Sequence, residues 1–251
     1  MRRTTIIIPC FNEAERLDVA AFRQFRAPDV TLLFVDDGST DATRALLEEL
    51  RAGDPEAYQF LGLDENRGKA EAVRAGFLQA FESAPDYVGF WDADLATPLQ
   101  DIDAFRRILD ANAGLAAVFG SRVNLLGRSV RRRLSRHYIG RIFATAASGV
   151  LGLPIYDTQC GAKLFRVSDE TIDLFQTPFL SKWIFDVEII ARMLRGRRGT
   201  DLPPVRSVIY EHPLSVWKDV AGSKIRARDF FIVAIDLARI HFRTMRGSRA
   251  K

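Results

Sequence analysis

Two aspartates set two residues apart, Asp92 and Asp94, close the apolar run Tyr87-Val-Gly-Phe-Trp91. Carboxylates at that spacing, just past the end of a buried strand, can turn into one cavity. A hard divalent ion such as Mg2+ or Mn2+ takes one or two of them and completes its shell with substrate phosphates and water. Asp-x-Asp is also a common loop pattern without chemistry, so the pair gains weight from its company. Asp36 and Asp37 end a second apolar run, residues 30–35, and continue into Gly38-Ser-Thr-Asp41. A carboxylate there suits ribose hydroxyls or a base N–H, while the same residues also make a turn and a helix cap. Asn66-Arg-Gly-Lys69 stands at a helix start, a place that suits an anion. There is no Gly-x-Gly-x-x-Gly and no Walker pattern, which speaks against an NAD site or a P-loop.

The elements that must position these residues follow from hydrophobic pattern. Thr4-Thr-Ile-Ile-Ile-Pro9 is the continuous β-branched run of a strand buried on both faces of a parallel sheet. Further strands are expected at 30–35, 58–63 and 87–91, with helices at 12–26, 42–51 and 70–81, the second capped by Thr40 or Asp41. Such alternation predicts an α/β fold with a mostly parallel, Rossmann-like sheet and flanking helices, whose ligands bind outside the carboxyl ends of the strands. The acidic motifs fall at those ends. The second half is less regular: a helix at 98–112, a strand at 116–120, an apolar helix at 139–151, Asp186 and Glu188 on a helix, a strand at 205–211 and a closing helix at 228–242. This organisation reads as one catalytic domain over 1–226, followed by a C-terminal amphipathic helix and basic tail over 227–251.

Hydrophobic residues at 47% and charged residues at 27% of 251 are the mix of a folded globular chain. The net charge is only +4, yet no Asp or Glu lies between Asp110 and Asp157, where Arg122, Arg128, Arg131, Arg132, Arg133, Arg136 and Arg141 cluster. That stretch predicts an anionic partner. Cys10 and Cys160 cannot make a disulfide framework, and His137, His212 and His241 have no partners at zinc-ligand spacing. A cytoplasmic location is expected, without a signal peptide or a membrane span. The closing helix places Asp229, Asp236, Arg239 and Arg243 on one stripe and apolar residues elsewhere. It is suited either to a membrane interface, making the protein peripheral, or to packing on the domain.

Seven motifs in order give the chain a family resemblance: Pro9-Cys-Phe-Asn12-Glu13, Val35-Asp-Asp-Gly-Ser39, Asn66-Arg-Gly-Lys69, Asp92-Ala-Asp94, Gly120-Ser-Arg122, Asp157-Thr-Gln-Cys-Gly-Ala-Lys163 and Trp183-Ile-Phe-Asp-Val-Glu188. Together with Gly222-Ser-Lys224 they resemble the inverting family 2 glycosyltransferases of GT-A fold, in their polyprenyl- and dolichyl-phosphate branch, closest to the dolichyl-phosphate β-glucosyltransferases. The resemblance implies that Pro9, Phe11, Asn12, Glu13, Phe34, Asp36 and Asp37 hold the nucleotide, with Lys69, Asp92, Ala93 and Lys218 also lining the donor site. It implies that Asp94, and with it Asp92, holds the metal, and that Arg122 and Lys224 face phosphate groups. Asp157, Asp186 and Glu188 are the candidate bases if the acceptor is a hydroxyl; Asp186 and Glu188 also suit structural roles such as pairing with Arg192. Mannosyl-transferring members carry a polar residue two beyond the second Asp, where this chain has Ala96, so UDP-glucose is the expected donor, a polyprenyl phosphate the acceptor, and a membrane surface the workplace. Nucleic acid is not an expected partner, because Asp36, Asp37, Asp92 and Asp94 repel a polyanion. The rival readings are the same fold with GDP-mannose as donor and a soluble enzyme with a hydroxyl acceptor.

Overall fold

The computed structural model describes residues 2–131, 134–218 and 227–245. Four parallel strands build the first half: β1 (Thr4–Cys10), β2 (Val30–Asp36), β3 (Tyr58–Gly62) and β4 (Tyr87–Trp91). Their order, β3-β2-β1-β4, continues into β7 (Ala162–Arg166), β5 (Ala117–Ser121) and β8 (Ile209–Pro213). β7 runs antiparallel to both its neighbours, β4 and β5. A separate ribbon pairs β6 (Ser129–Arg131) with β9 (Val216–Lys218).

Side chains alternate across the sheet, and both faces are covered. Ile7, Leu33, Val35 and Phe90 pack under α3 (Lys69–Glu82), α5 (Leu134–Leu151), α6 (Asp169–Gln176), α7 (Phe185–Arg197), the short α8 (Val205–Val208) and α9 (Ala227–Ile240). Ile6, Ile8, Leu32 and Phe34 pack on the other face under α1 (Val19–Gln24), α2 (Thr43–Gly53) and α4 (Asp101–Ala111). Burial on both sides is why these strands read as unbroken apolar runs.

Three expectations are corrected. Residues 12–26 do not form one helix: Asn12 has φ 50°, residues 13–16 turn through Arg16 N–H to Glu13 O (2.9 Å), and the Asp18 carboxylate caps Ala21 N–H (2.9 Å), so only Val19–Gln24 is helical. The amides of Asn12 and Glu13 bond instead to Ser39 Oγ (3.0 Å) and Thr43 Oγ1 (2.8 Å). Pro204 turns Val205–Val208 into a single helical turn before β8 starts at Ile209. Lastly, it is Glu188 and not Asp186 that pairs with Arg192, whose guanidinium also donates to the carbonyls of Leu174, Thr177 and Pro178 at 2.6–2.9 Å.

The closing helix packs Leu237 and Ile240 into the core, and Asp236 accepts from Ser181 Oγ (2.6 Å). The polar stripe read along it is split: Asp236 is buried while Arg239 and Arg243 stay exposed, together with Ile232, Ile235 and Phe242. Among the described residues no helix is long and apolar enough to cross a membrane.

Candidate active site

The carboxyl ends of β2, β1 and β4 form one rim, because Cys10 is in register with Asp36 and Ile7 with Phe90. Asp36, fully buried, accepts from Ser39 N–H (3.1 Å) and Arg44 Nε (2.9 Å). Asp37 accepts from the amides of Arg67 and Gly68, both at 2.8 Å, so it ties the Asn66–Lys69 segment to the rim. Gly38 sits between them at φ 67°, and a Cβ there would lie 2.5 Å from the Glu65 carbonyl carbon; only glycine lets the two loops touch. Asn12 Oδ1 accepts from Thr40 N–H (2.9 Å), closing the same wall, and Pro9 and the exposed ring of Phe11 stand beside it. Glu13 Oε2 is buried without a partner; burial pushes the Glu13 carboxyl up, against Arg16 and with help from Asp94.

Asp92 and Asp94 stand at the end of β4. One Asp92 oxygen holds the Lys69 ammonium, and the other lies so close to Gly161 that a Cβ there would fall 1.8 Å from it. The buried methyl of Ala93 separates the two aspartates. Asp94 Oδ1 accepts from Ala96 N–H (3.0 Å), which leaves Oδ2 for a ligand; burial, then the neighbouring Asp92 charge, raises its carboxyl above the ordinary range. Two hard oxygen donors, one already satisfied by a cation, fit a divalent ion whose other ligands come from substrate and water. No group of three ligand residues exists among the described residues, so protein alone does not complete such a shell.

Arg122, at the end of β5, forms a bidentate pair with Asp157: Nε to Oδ2 at 2.6 Å and Nη2 to Oδ1 at 2.8 Å, with the backbone N–H adding a third bond at 3.0 Å. Its guanidinium lies 5.3 Å from the Trp217 ring centroid. Burial works against both charges, yet the pair holds the Asp157 carboxyl below its usual range and the guanidinium above its own. Asp157 is thus a partner of Arg122 and no free base. Arg141 donates to Tyr156 O (3.2 Å) and stacks 4.0 Å from that ring. Lys218 is exposed on β9, whose amide reaches Ala96 O (3.3 Å), so the ribbon leans over the Asp94 loop. Arg132, Arg133 and Lys224 lie outside the described residues, as do the side chains of Arg131, Arg136, His137 and Asp229.

Phe34, expected at the nucleotide, does not turn its ring toward the rim. Phe34 is fully buried on the face opposite α3, with its ring centroid 5.0 Å from Phe22 and 6.2 Å from Tyr58. The helices that cover this face of the sheet enclose Phe34, whereas Asp36, on the same face, reaches the rim because it ends the strand. Phe34→Leu should lower stability by about 1 kcal/mol and leave UDP affinity, measured by calorimetry, unchanged.

The model of glycosyl transferase family 2 matches residues 5–172. The chain belongs to that family. It is 31% identical to the dolichyl-phosphate beta-glucosyltransferase of Saccharomyces cerevisiae, over 97% of this chain and 75% of that one. It is also 31% identical to the polyprenol monophosphomannose synthase of Mycolicibacterium smegmatis, over 91% of this chain and 85% of the other. Glucosyl-3-phosphoglycerate synthase from Mycobacterium tuberculosis shares the fold, with a TM-score of 0.65 at 16% identity over 97% of this chain and 80% of that one. This glycosyltransferase is a nucleotide-sugar-dependent hexosyltransferase of GT-A fold.

Lys163 and Gly161 lie inside one of the resemblance motifs, where the sequence assigns them no task. In the glycosyltransferase Gly161 makes room for Asp92, while Lys163, fully buried, bonds Asp186 and Cys160 O (2.6 Å). A lysine in a short segment gives no sequence signal of burial, since its partner lies 23 residues away.

Proposed function

We propose that this enzyme moves glucose from UDP-glucose to a polyprenyl phosphate with inversion at the anomeric carbon, using Mg2+ or Mn2+ at Asp92 and Asp94. The observation that carries the reading is the aspartate pair at the end of a central strand, with Asp94 Oδ2 open and Asp92 Oδ1 held by a displaceable ammonium. The glucosyltransferase relatives, and the methyl of Ala96 where a further ligand side chain would stand, support glucose. Both kinds of relative support the polyprenyl phosphate.

Asp36, fully buried and bonded to Ser39 and Arg44, holds the loop wall against which the nucleotide would lie. Lys69 brings three donors to the diphosphate once it leaves Asp92. Asp92 and Asp94 would hold a divalent ion, which would supply positive charge to the departing diphosphate. The acceptor phosphate, with a second pKa of about 6, is an anion at neutral pH, so no side chain has to take its proton. Its oxygen attacks the anomeric carbon opposite UDP, that carbon's bond to the diphosphate oxygen breaks, and an α-linked sugar becomes β-linked. Arg122, held by Nε and Nη2, presents Nη1 to an incoming phosphate.

The same reading places the protein at the cytoplasmic face of a membrane, attached peripherally. On α9 and the turn after it, Ile232, Ile235 and Phe242 point outward beside Arg239 and Arg243, and Ile142 of the neighbouring α5 is also exposed. Apolar side chains with adjacent cations suit an anionic interface. Replacing Ile232, Ile235 and Phe242 together with Ser should abolish sedimentation with phosphatidylserine liposomes at low salt while leaving the fold intact by circular dichroism.

The test of function supplies Mn2+ or Mg2+, a short polyprenyl phosphate and labelled UDP-glucose, GDP-mannose or UDP-N-acetylglucosamine in separate reactions. Label entering the organic phase from UDP-glucose is expected. Transfer from GDP-mannose instead would move the enzyme to the mannosyl relatives. No transfer from any donor would remove the polyprenyl acceptor.

A further inference from the structure

Behind the donor site lies a row of alternating charges whose inner pair, Lys163 and Asp186, the transfer chemistry does not use. Lys163, on β7, is fully buried between the rings of Phe90 and Phe119, its Nζ 5.1 and 5.2 Å from their centroids. It bonds the carboxylate of Asp186, itself buried in the first turn of α7. The ammonium of Lys69, at the start of α3, stands 5.9 Å from the same Phe90 ring and bonds Asp92. Both ammoniums lie near the one Phe90 ring, which sets the Lys163–Asp186 pair beside the Lys69–Asp92 pair. The order is Lys163, Asp186, Lys69, Asp92.

Fold stability does not explain the inner pair. A buried ion pair is commonly matched or bettered by apolar residues of similar volume, because desolvation offsets the attraction. The surrounding rings would accept such residues. What apolar residues cannot supply is a fixed negative charge behind Lys69.

We propose that Lys163 and Asp186 are positioning residues for the donor site: Lys163 anchors the Asp186 carboxylate so that it shares the Lys69 ammonium with Asp92. Lys69 then serves as a resident cation that yields Asp92 to an arriving divalent ion and turns to the diphosphate. Without Asp186, Lys69 leans wholly on Asp92 and competes harder with the metal. Without Lys69, Asp92 is open. The inference rests on the metal-assisted reading above, but its test needs no sugar transfer.

Mn2+ binding to the full chain, followed by the loss of free-ion EPR signal without nucleotide, separates the possibilities. Lys69→Met should tighten Mn2+ binding about fivefold, and Asp186→Asn should weaken it about threefold. Asparagine keeps a carbonyl for Lys163, and thermal melting checks that the variant is folded. The deciding measurement is the double variant: in the Lys69→Met background, Asp186→Asn should have no effect, because its influence runs through Lys69. An equal loss in both backgrounds would show that Asp186 acts on the metal directly and would overturn the proposal. So would a Lys69→Met variant with unaltered affinity, or silence of every variant toward Mn2+. Should the Mn2+ pattern hold while no donor is turned over, the positioning stands and the polyprenyl transfer alone fails.

Discussion

Asp94→Asn should reduce sugar transfer at least about 100-fold with little change in melting temperature. The substitution is close to isosteric, and the amide oxygen can still accept from Ala96 N–H, the bond that shapes the loop after β4. What disappears is the charge on the oxygen left open for a metal. Neutralisation of the leaving diphosphate is needed most in the transition state, so kcat should fall more than UDP binding. Because the substitution removes the charge from the oxygen left open after the Ala96 bond, Mn2+ affinity should fall with activity. A variant that keeps full transfer would remove Asp94 from the chemistry. A variant that loses transfer and also melts early would assign it to the fold.

Arg122→Met should be the most destabilising single change at the site, lowering unfolding free energy by about 3–5 kcal/mol. Asp157 is 6% exposed and receives three hydrogen bonds from Arg122, so the substitution strands a buried carboxylate. The pH dependence has a definite sign. In the wild-type chain burial is outweighed by Arg122, and the folded Asp157 pKa lies below its unfolded value of about 3.9. The pair's stabilisation is present above that unfolded value and is lost as pH falls through the depressed one. In the variant Asp157 has lost its paired guanidinium and takes up a proton more readily, so the gap between the two proteins should be full near neutral pH and narrow in acid. Chemical denaturation at a series of pH values measures it. A gap independent of pH would mean that lost packing against Trp217, 5.3 Å away, dominates over charge. Asp157→Asn with Arg122 retained should preserve more stability than Arg122→Met, since a guanidinium at the rim still reaches water.

The arginine segment shows how far composition carries. The absence of Asp and Glu between Asp110 and Asp157 pointed to an anionic partner, yet the first arginine of the stretch is neutralised by the carboxylate that ends it. Arg141 is likewise engaged, with Tyr156. Charge runs count residues along the chain, whereas pairing depends on which segments fold against one another. The closing helix gives the same lesson in reverse. Its four polar positions share a stripe, but Asp236 turns inward to Ser181 and leaves isoleucines outside, because a short hydrogen bond satisfies the carboxylate in the interior.

By itself the sequence determined the wound parallel sheet of the first half, the placement of Asp36, Asp37, Asp92 and Asp94 at strand ends, and the family. Strands buried on both faces need continuous apolar runs and must stop at the first charged residues, so element and rim are written locally. Tertiary structure alone decided that Phe34 belongs to the core, that β7 inserts antiparallel with a buried lysine, that Arg122 is bound to Asp157, and that Gly161 clears space for Asp92. Each of these is a contact between segments distant in the chain. Hydrophobic periodicity reports how deeply a residue is buried but carries no information about which partner meets it there.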